Sequence, residues 1–129
     1  YLVPNESEAQ FLTGIKIPGK GSVPGMAEKL LERGVRQVMI TLGSKGLFFQ
    51  SRDQTIRMKA YPVNVVDTTA AGDALMGGLA CGLAEKRPIR EILQIASAAA
   101  ALSTTRLGAQ PSLPSREEVD QFLSRLARK

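Results

Sequence analysis

Fold and function are both indicated by one stretch of this sequence, Asp67-Thr68-Thr69-Ala70-Ala71-Gly72-Asp73. Its small residues, Ala70, Ala71 and Gly72, let the backbone approach a ligand closely. They stand at the start of a helix, where free N–H groups point outward with the positive end of the helix dipole behind them. Such a segment is typical of an anion hole. It is also typical of a plain helix start, in which Asp73 only caps the helix behind a tight turn.

Asp73 adds a base to the predicted anion hole. The helix dipole favours its ionised form, so it can accept a proton from a hydroxyl while the N–H groups stabilise transferring phosphoryl oxygens, a pair of functions that phosphoryl transfer needs. The chain has no histidine, so catalysis must use carboxylates. Its single cysteine, Cys81, excludes an intrachain disulfide and a cysteine-rich metal site. Because Cys81 stands among apolar residues, we expect it in the core rather than as a reactive thiol.

Helical and strand patterns alternate around this stretch. Helices are expected over 5–14, 24–33 and 88–101, from residue 72 onward, and around 119–126. Strands are expected over 38–42, 47–50, 55–59 and 63–66, the first as a buried parallel strand and the next two as an antiparallel hairpin. This alternation predicts a layered α/β domain, in which ligands bind where strand ends meet helix starts.

Composition bounds the class of protein. The chain has 129 residues, of which 43% are hydrophobic and 22% charged, and it matches one ordinary domain. It contains no apolar run of about 20 residues and no signal-peptide pattern, so we expect a soluble cytoplasmic protein without a membrane partner. The net charge of +5 suits anionic phosphates and would also suit nucleic acid. Scattered basic residues and few aromatic ones argue against nucleic acid as the partner.

Four segments resemble, in the same order, segments of the ribokinase-type carbohydrate kinase family. They are Pro4-Asn5-Glu6-Ser7-Glu8-Ala9, Ile40-Thr41-Leu42-Gly43-Ser44-Lys45-Gly46, Val66-Asp67-Thr68-Thr69-Ala70-Ala71-Gly72-Asp73 and Thr105-Arg106-Leu107-Gly108-Ala109-Gln110-Pro111-Ser112. The resemblance covers almost the whole chain. It implies a ribokinase-like, Rossmann-type layered α/β fold, of which residues 1–129 are the C-terminal, ATP-binding and catalytic part of the large domain, without the lid. It also implies that the full-length protein is a homodimer paired through that lid.

The resemblance assigns roles to particular residues. Asp73 is implied to be the catalytic base that contacts the sugar substrate, with Ala70, Ala71 and Gly72 as its anion hole. ATP-binding positions are implied at Asn5, Thr41, Leu42, Gly43, Ser44, Lys45, Gly46, Gly72, Asp73 and Ser97. Glu8 is implied to organise Mg²⁺ through water. A monovalent cation, K⁺, is implied at Asp67, Thr69, Ser103, Arg106, Gly108 and Ser112, mostly through backbone oxygens.

Two of these assignments have a local alternative. Asn5 and Glu8 have the spacing of a helix capping box, and both roles can hold together. The segment Gly43-Ser44-Lys45-Gly46 is by itself a good hairpin turn, and it lacks the pattern of a P-loop.

The reaction implied by the resemblance is transfer of the γ-phosphoryl group of ATP to the primary hydroxyl of a pentose, with D-ribose giving D-ribose 5-phosphate. A kinase for deoxyribose, another sugar or a nucleoside stays open, because Leu75-Met76-Gly77 stands where the family usually has Phe-Asn-Gly. A nucleotide-binding fragment without activity and a basic nucleic-acid binder also stay open. We expect residues 1–129 alone to be inactive, since the family grips its sugar largely outside this part of the fold.

Overall fold

The computed structural model describes residues 1–16 and 22–129. Their contacts divide the chain into two compact units, Tyr1–Ala60 and Tyr61–Lys129. Each unit has a core cluster of its own. The residues of the predicted site therefore belong to both units. Asn5, Glu8 and the 41–46 loop lie in the first unit, and the other predicted residues lie in the second.

The first unit contains a three-stranded antiparallel sheet in the order β1-β2-β3, formed by β1 (Gln37–Thr41), β2 (Leu47–Ser51) and β3 (Thr55–Met58). The hairpin predicted for the second and third of these strands is confirmed, with Phe49 opposite Ile56. The prediction that β1 is a parallel strand is wrong for its main pairing, since β1 runs antiparallel to β2 along its whole length. Only a short turn joins β1 to β2, and a connection that short reverses the chain direction.

Parallel pairing of β1 is limited to two isolated bridges with the first residues of the chain. Leu2 pairs with Val38, and Asn5 pairs with Thr41. The backbone N–H of Thr41 donates to the carbonyl of Pro4 at 3.0 Å. These bridges place Asn5 beside the C-terminal end of β1, where the 41–46 loop begins.

Two helices of the first unit, α1 (Glu6–Thr13) and α2 (Ser22–Glu32), pack on its sheet around Met26, Leu30, Val38 and Phe48. As predicted, Asn5 caps α1 and Gly14 ends it in the left-handed conformation, at φ 72°. Lys29 of α2 donates its Nζ to the carbonyl of Thr13 at 2.7 Å. This cation satisfies a carbonyl at the C-terminus of α1, where the helix dipole favours positive charge.

The second unit is helical, with α3 (Ala71–Ala84), α4 (Ile89–Ser103), a short 3₁₀ turn (Gln110–Ser112) and α5 (Arg116–Ala127). The small residues of α3 let it approach α4 closely, as predicted. A Cβ added to Gly78 would lie 2.7 Å from the Cα of Ala96, and one added to Gly82 would lie 3.1 Å from Ile92. Backbone therefore meets backbone at this crossing.

The core of the second unit lies beneath the start of α3. Ala74 of α3, Ile95 of α4 and Val119 of α5 belong to one core cluster, and Val119 is only 3% exposed. Tyr61 meets Phe122 of α5 edge to face, with ring centroids 5.5 Å apart. Burial raises the pKa of Tyr61. Ala74, a member of this core cluster, directly follows the predicted base Asp73.

Two further predictions about the second unit are wrong. Residues 63–66 are not a strand in the described part of the chain, and Val65 and Val66 are 62% and 56% exposed. Instead of joining a ladder, the N–H of Val66 donates to the carbonyl of Thr104 at 2.7 Å. Cys81 is exposed rather than buried, because α3 turns its glycine face, with Gly78 and Gly82, toward α4 and points Cys81 away from it.

Among the helices of the described residues, none is both long and apolar enough to cross a membrane.

Candidate active site

The Asp67 carboxylate organises the loop that opens α3. Its Oδ1 accepts the backbone N–H of Thr69 at 2.9 Å and the hydroxyl of Thr69 at 2.5 Å. Its Oδ2 accepts the backbone N–H of Gly108 at 2.9 Å. These bonds lower the pKa of Asp67, the Thr69 hydroxyl having the largest effect and the Gly108 N–H the next. One side chain therefore joins the 67–73 loop to the turn that follows α4.

A second connection between these two segments runs through the backbone. The carbonyl of Thr104, the residue after α4, accepts N–H bonds from both Val66 at 2.7 Å and Asp67 at 3.1 Å. Thr104 was not among the predicted site residues. No local pattern identifies it, because a carbonyl acceptor depends on where the chain folds back and not on the residue type.

The start of α3 keeps donors free for a ligand. The N–H of Ala71 donates to the carbonyl of Thr68 at 3.2 Å, and the first helical bond joins Ala74 to Ala70 at 2.9 Å. Ala70, the N-cap residue, has no side-chain acceptor, unlike the capped starts of α1 and α5. The N–H groups of Gly72 and Asp73 are therefore the outward donors of this turn, with the helix dipole behind them.

Asp73 carries a free carboxylate in the first turn of α3. Its side chain is exposed, and within residues 1–16 and 22–129 it makes no hydrogen bond or ion pair. A Cβ added to Gly72 would meet nothing within 4 Å. Open space, two N–H donors and an unengaged base thus occur on one helical turn. This is the arrangement that general-base catalysis beside an anion needs.

The residues predicted to hold K⁺ lie on the two connected segments. Asp67 and Thr69 are in the loop before α3, and the rest follow along the chain from the end of α4: Ser103, Arg106, Gly108 and Ser112. Ser103 and Ser112 are buried, and their hydroxyls donate to the carbonyls of Ala100 and Ala109. Carboxylate, carbonyl and hydroxyl oxygens are the donors that a hard cation takes, so the chemistry of this set fits. No group of three His, Cys, Asp or Glu suited to a metal occurs in the part of the chain that the structure describes.

Arg106 has only its backbone to offer a cation, because its cationic side chain is already bonded to Glu118. The guanidinium donates to Oε1 of Glu118 on α5, and its backbone N–H donates to the carbonyl of Ser103 at 3.3 Å. Glu118 also accepts the backbone N–H of Ser115 at 2.7 Å through Oε2. The guanidinium has the largest effect in lowering the pKa of Glu118. Glu118 was not predicted, although the spacing from Ser115 to Glu118 is the signal of a capping box.

In the first unit, Asn5, Glu8 and Thr41 are brought together. Asn5 Oδ1 accepts the N–H of Glu8 and Glu8 Oε2 accepts the N–H of Asn5, both at 2.8 Å, so the predicted capping box is present. The bridge from Asn5 to Thr41 sets this cap beside the 41–46 loop. Glu8 is exposed, and Oε2 alone serves the cap. Its other carboxylate oxygen has no hydrogen-bond partner among the described residues, and carboxylate oxygen is a ligand type that Mg²⁺ prefers.

The 41–46 loop is a closed hairpin turn. The N–H of Leu42 donates to the carbonyl of Gly46 at 2.8 Å, and the N–H of Gly46 donates to the carbonyl of Gly43 at 3.0 Å. Leu42 is buried in the core, whereas Gly43, Ser44 and Lys45 are exposed. The hairpin interpretation is thus confirmed. The exposed turn can also receive a ligand, so the predicted nucleotide role stays open.

Gly46 is required by packing rather than by a ligand. Its φ is 101°, and an added Cβ would lie 1.9 Å from the carbonyl oxygen of Met58. Gly43, at φ 57°, faces open space. Ser97, the predicted neighbour of adenine, is half-buried on α4 in the second unit.

A family model described as "pfkB family carbohydrate kinase" matches residues 1–116. The fold and the 67–73 loop agree with that class, and the chain belongs to the pfkB family of carbohydrate kinases. Within the class it is 40% identical to the ribokinase of Haemophilus influenzae over 122 residues, which are 95% of this chain and 40% of the relative. It is 35% identical to the deoxyribokinase of Salmonella typhi over 124 residues, 96% of this chain and 40% of that relative.

The structure also resembles a solved ribokinase. Arabidopsis thaliana ribokinase, complexed with ribose and ATP, matches with a TM-score of 0.90 and 36% identity, over 95% of this chain and 40% of that chain. The prediction of a ribokinase-like α/β fold is confirmed. The chain spans about two-fifths of the length of these relatives.

Proposed function

We propose that the full-length protein is an ATP-dependent sugar kinase that phosphorylates the primary hydroxyl of a pentose, with D-ribose as the first candidate substrate. Residues 1–129 are its C-terminal, ATP-binding and catalytic part. The observation that carries the proposal is the Asp73 carboxylate, which has no partner among the described residues, on the same helical turn as the N–H donors of Gly72 and Asp73. The 40% identity to a ribokinase supports D-ribose as the substrate, and the similar Arabidopsis ribokinase is complexed with both ribose and ATP.

In the proposed reaction Asp73 accepts the proton of the sugar hydroxyl. The hydroxyl oxygen then bonds to the γ-phosphorus of ATP as the bond from that phosphorus to the β–γ bridging oxygen breaks, and ADP leaves. The N–H groups at the start of α3 stabilise the charge on the transferring oxygens, with the helix dipole adding to their effect. The Asp73 carboxylate that accepts the proton and the N–H groups that stabilise the phosphoryl oxygens thus belong to the same turn of α3.

The remaining predicted residues bind and orient the nucleotide. Asn5 and the exposed turn 43–45 lie at the end of β1, and we assign them to ATP together with Thr41, Leu42, Gly46 and Ser97. Leu42 is buried, so it can contribute only through its backbone. Mg²⁺, held through water by Glu8, would neutralise phosphate charge. K⁺, held by the oxygens near Asp67, would supply positive charge beside the anion hole.

The direct test is Asp73→Asn in the full-length protein, with kinase rate and ATP binding measured separately. We expect ATP affinity to persist and kcat to fall by about 10²- to 10⁴-fold, the usual contribution of a general base. Asp53→Asn in the β2–β3 turn is the matched control, since it makes the same change in an exposed aspartate of the first unit. Near-normal turnover of the Asp73 variant would contradict the proposal.

Two further measurements address the finer claims. Rates in K⁺ and in a bulky organic cation at equal ionic strength test the cation site, and equal rates would remove it. The kinship with a deoxyribokinase makes 2-deoxy-D-ribose the second candidate acceptor. Comparing kcat/KM for the two pentoses in the full-length protein decides between them, whereas ATP binding without turnover of any sugar or nucleoside would identify a nucleotide-binding protein without activity.

A further inference from the structure

Glu118 is a carboxylate with two partners on different segments. Oε2 accepts the N–H of Ser115 within the capping box of α5, and Oε1 accepts the guanidinium of Arg106. The segment matched by the family model ends at residue 116, so Glu118 lies beyond it. The Arg106 contact crosses 12 residues of sequence and joins α5 to the turn after α4.

That turn also bonds to the 67–73 loop, which is called the anion-hole loop below. Thr104 accepts the N–H groups of Val66 and Asp67, and Gly108 donates to the Asp67 carboxylate. Arg106 lies between Thr104 and Gly108. Its guanidinium donates to Glu118 of α5. The turn is therefore bonded both to the loop that leads to Asp73 and to α5.

The first turn of α5 is itself firmly placed, so Glu118 can act as an anchor. Val119, its neighbour, is buried in the same core cluster as Ile95 and Ala98 of α4. Arg116 donates from Nε and Nη2 to both carboxylate oxygens of Glu85, at 3.1 Å and 2.9 Å, at the C-terminal end of α3. A bidentate pair of this kind fixes geometry as well as charge. The Glu118 carboxylate therefore has little freedom to move together with Arg106.

We propose that Glu118 is a positioning residue, which holds Arg106 and through it the 103–108 turn that fixes Asp67 at the start of the anion-hole loop. The inference rests on the proposed function in one respect, namely that this loop carries phosphoryl transfer. Glu118 touches no reacting atom. Its effect reaches the site through Arg106, Gly108 and Asp67.

The test is amide hydrogen exchange of the full-length protein, followed in peptides that cover residues 104–110. Glu118→Gln keeps an oxygen that can accept the N–H of Ser115 and removes the charge that faces Arg106. We expect the amide exchange rates in residues 104–110 to rise about two- to fivefold, because loss of a partly exposed ion pair changes a local opening equilibrium by about that factor. We expect the K⁺ concentration for half-maximal kinase rate to rise by a similar factor, with kcat at saturating K⁺ unchanged.

Two control variants separate positioning from general stability. Ser115→Ala removes the cap of α5 and leaves the Arg106 contact, so faster exchange is expected only near 115–118. Asp120→Asn removes a carboxylate that pairs with Arg116 instead, at 3.0 Å. Unchanged exchange at 104–110 in Glu118→Gln, or an equal rise there in Ser115→Ala, overturns the proposal.

The kinetic readout distinguishes this inference from the proposed function. Faster exchange with unaltered kinetics in an active kinase overturns the positioning role, because the turn would then have no consequence for the reaction. Faster exchange in a protein whose wild type phosphorylates no sugar refutes the proposed function and leaves Glu118 as the anchor of the turn.

Discussion

Gly108 donates its backbone N–H to Oδ2 of Asp67 at 2.9 Å, across 41 residues of sequence. The other oxygen of the same carboxylate accepts two donors from Thr69, so Asp67 has three donors within the described part of the chain. Asp67 is therefore both a candidate cation ligand and the residue that ties two loops of the second unit together. Its removal should change the stability of the fold as well as the chemistry of the site.

Asp67→Asn should make the protein less stable near neutral pH and less sensitive to acid. The donors of Thr69 and Gly108 lower the pKa of Asp67 in the folded state. Its stabilising contribution is therefore present above the unfolded pKa, about 3.9, and is lost as pH falls through the lower folded value. The free energies of unfolding of wild type and variant, measured in urea, should begin to converge as pH falls below about 4 and continue to do so through the lower folded pKa.

The control for this titration is Asp53→Asn, whose carboxylate has no bond in the described part of the chain. Its unfolding free energy should run parallel to that of the wild type through the same acid range. A constant difference between wild type and Asp67→Asn down to about pH 2 would show that the carboxylate bonds do not stabilise the fold.

Glu8→Gln should separate helix capping from magnesium binding. Glutamine can replace glutamate at this position of a capping box, so the unfolding free energy should change by less than about 0.5 kcal/mol. If Glu8 organises Mg²⁺, the concentration of Mg²⁺ for half-maximal kinase rate should rise in the full-length protein. Glu6→Gln makes the same charge change in the same helical turn and serves as control. A loss of stability with an unchanged Mg²⁺ requirement would leave Glu8 as a cap only.

Gly78→Ala and Gly77→Ala should have opposite effects on stability, although the residues are neighbours in α3. The methyl group at residue 78 would lie 2.7 Å from the Cα of Ala96, so α3 and α4 would have to separate, at a cost of about 1–3 kcal/mol. At residue 77 nothing lies within 4 Å, and alanine should stabilise the helix by about 0.5–1 kcal/mol. Chemical denaturation gives the free energy of unfolding of both variants. Equal destabilisation of the two would refute the close crossing of α3 and α4.

Gly46→Ala should damage the first unit more than Gly43→Ala does. Both residues have positive φ, which costs alanine about 1–2 kcal/mol. At residue 46 the methyl group would also collide with the carbonyl of Met58, whereas residue 43 faces open space. Urea unfolding should therefore rank Gly46→Ala as the less stable variant. If Gly43→Ala folds but binds ATP more weakly in a titration, the turn contacts the nucleotide.

The local parts of this structure could be predicted from the sequence. The capping box of Asn5 and Glu8, the left-handed stop at Gly14, the β2–β3 hairpin and the helix that starts at Ala71 were all foreseen. Each depends on residues within one turn of helix or one hairpin, so the chemistry of near neighbours is sufficient. The unbonded N–H groups at the start of α3 belong to the same class, because the first turn of any helix lacks intrahelical acceptors for its donors.

The sequence by itself thus indicated which loop is the candidate for acid–base and anion-binding chemistry. Tertiary structure alone decided how that loop is held, because the bond from Gly108 to Asp67 and the contact of Arg106 with Glu118 require α3, α4 and α5 to be packed already. It also decided that residues 63–66 bond to the end of α4 and not to a strand, and that Cys81 faces outward. Apolar composition gives a residue a tendency to be buried, but the face of the helix that meets its neighbour depends on where backbones fit most closely, here at Gly78 and Ala96.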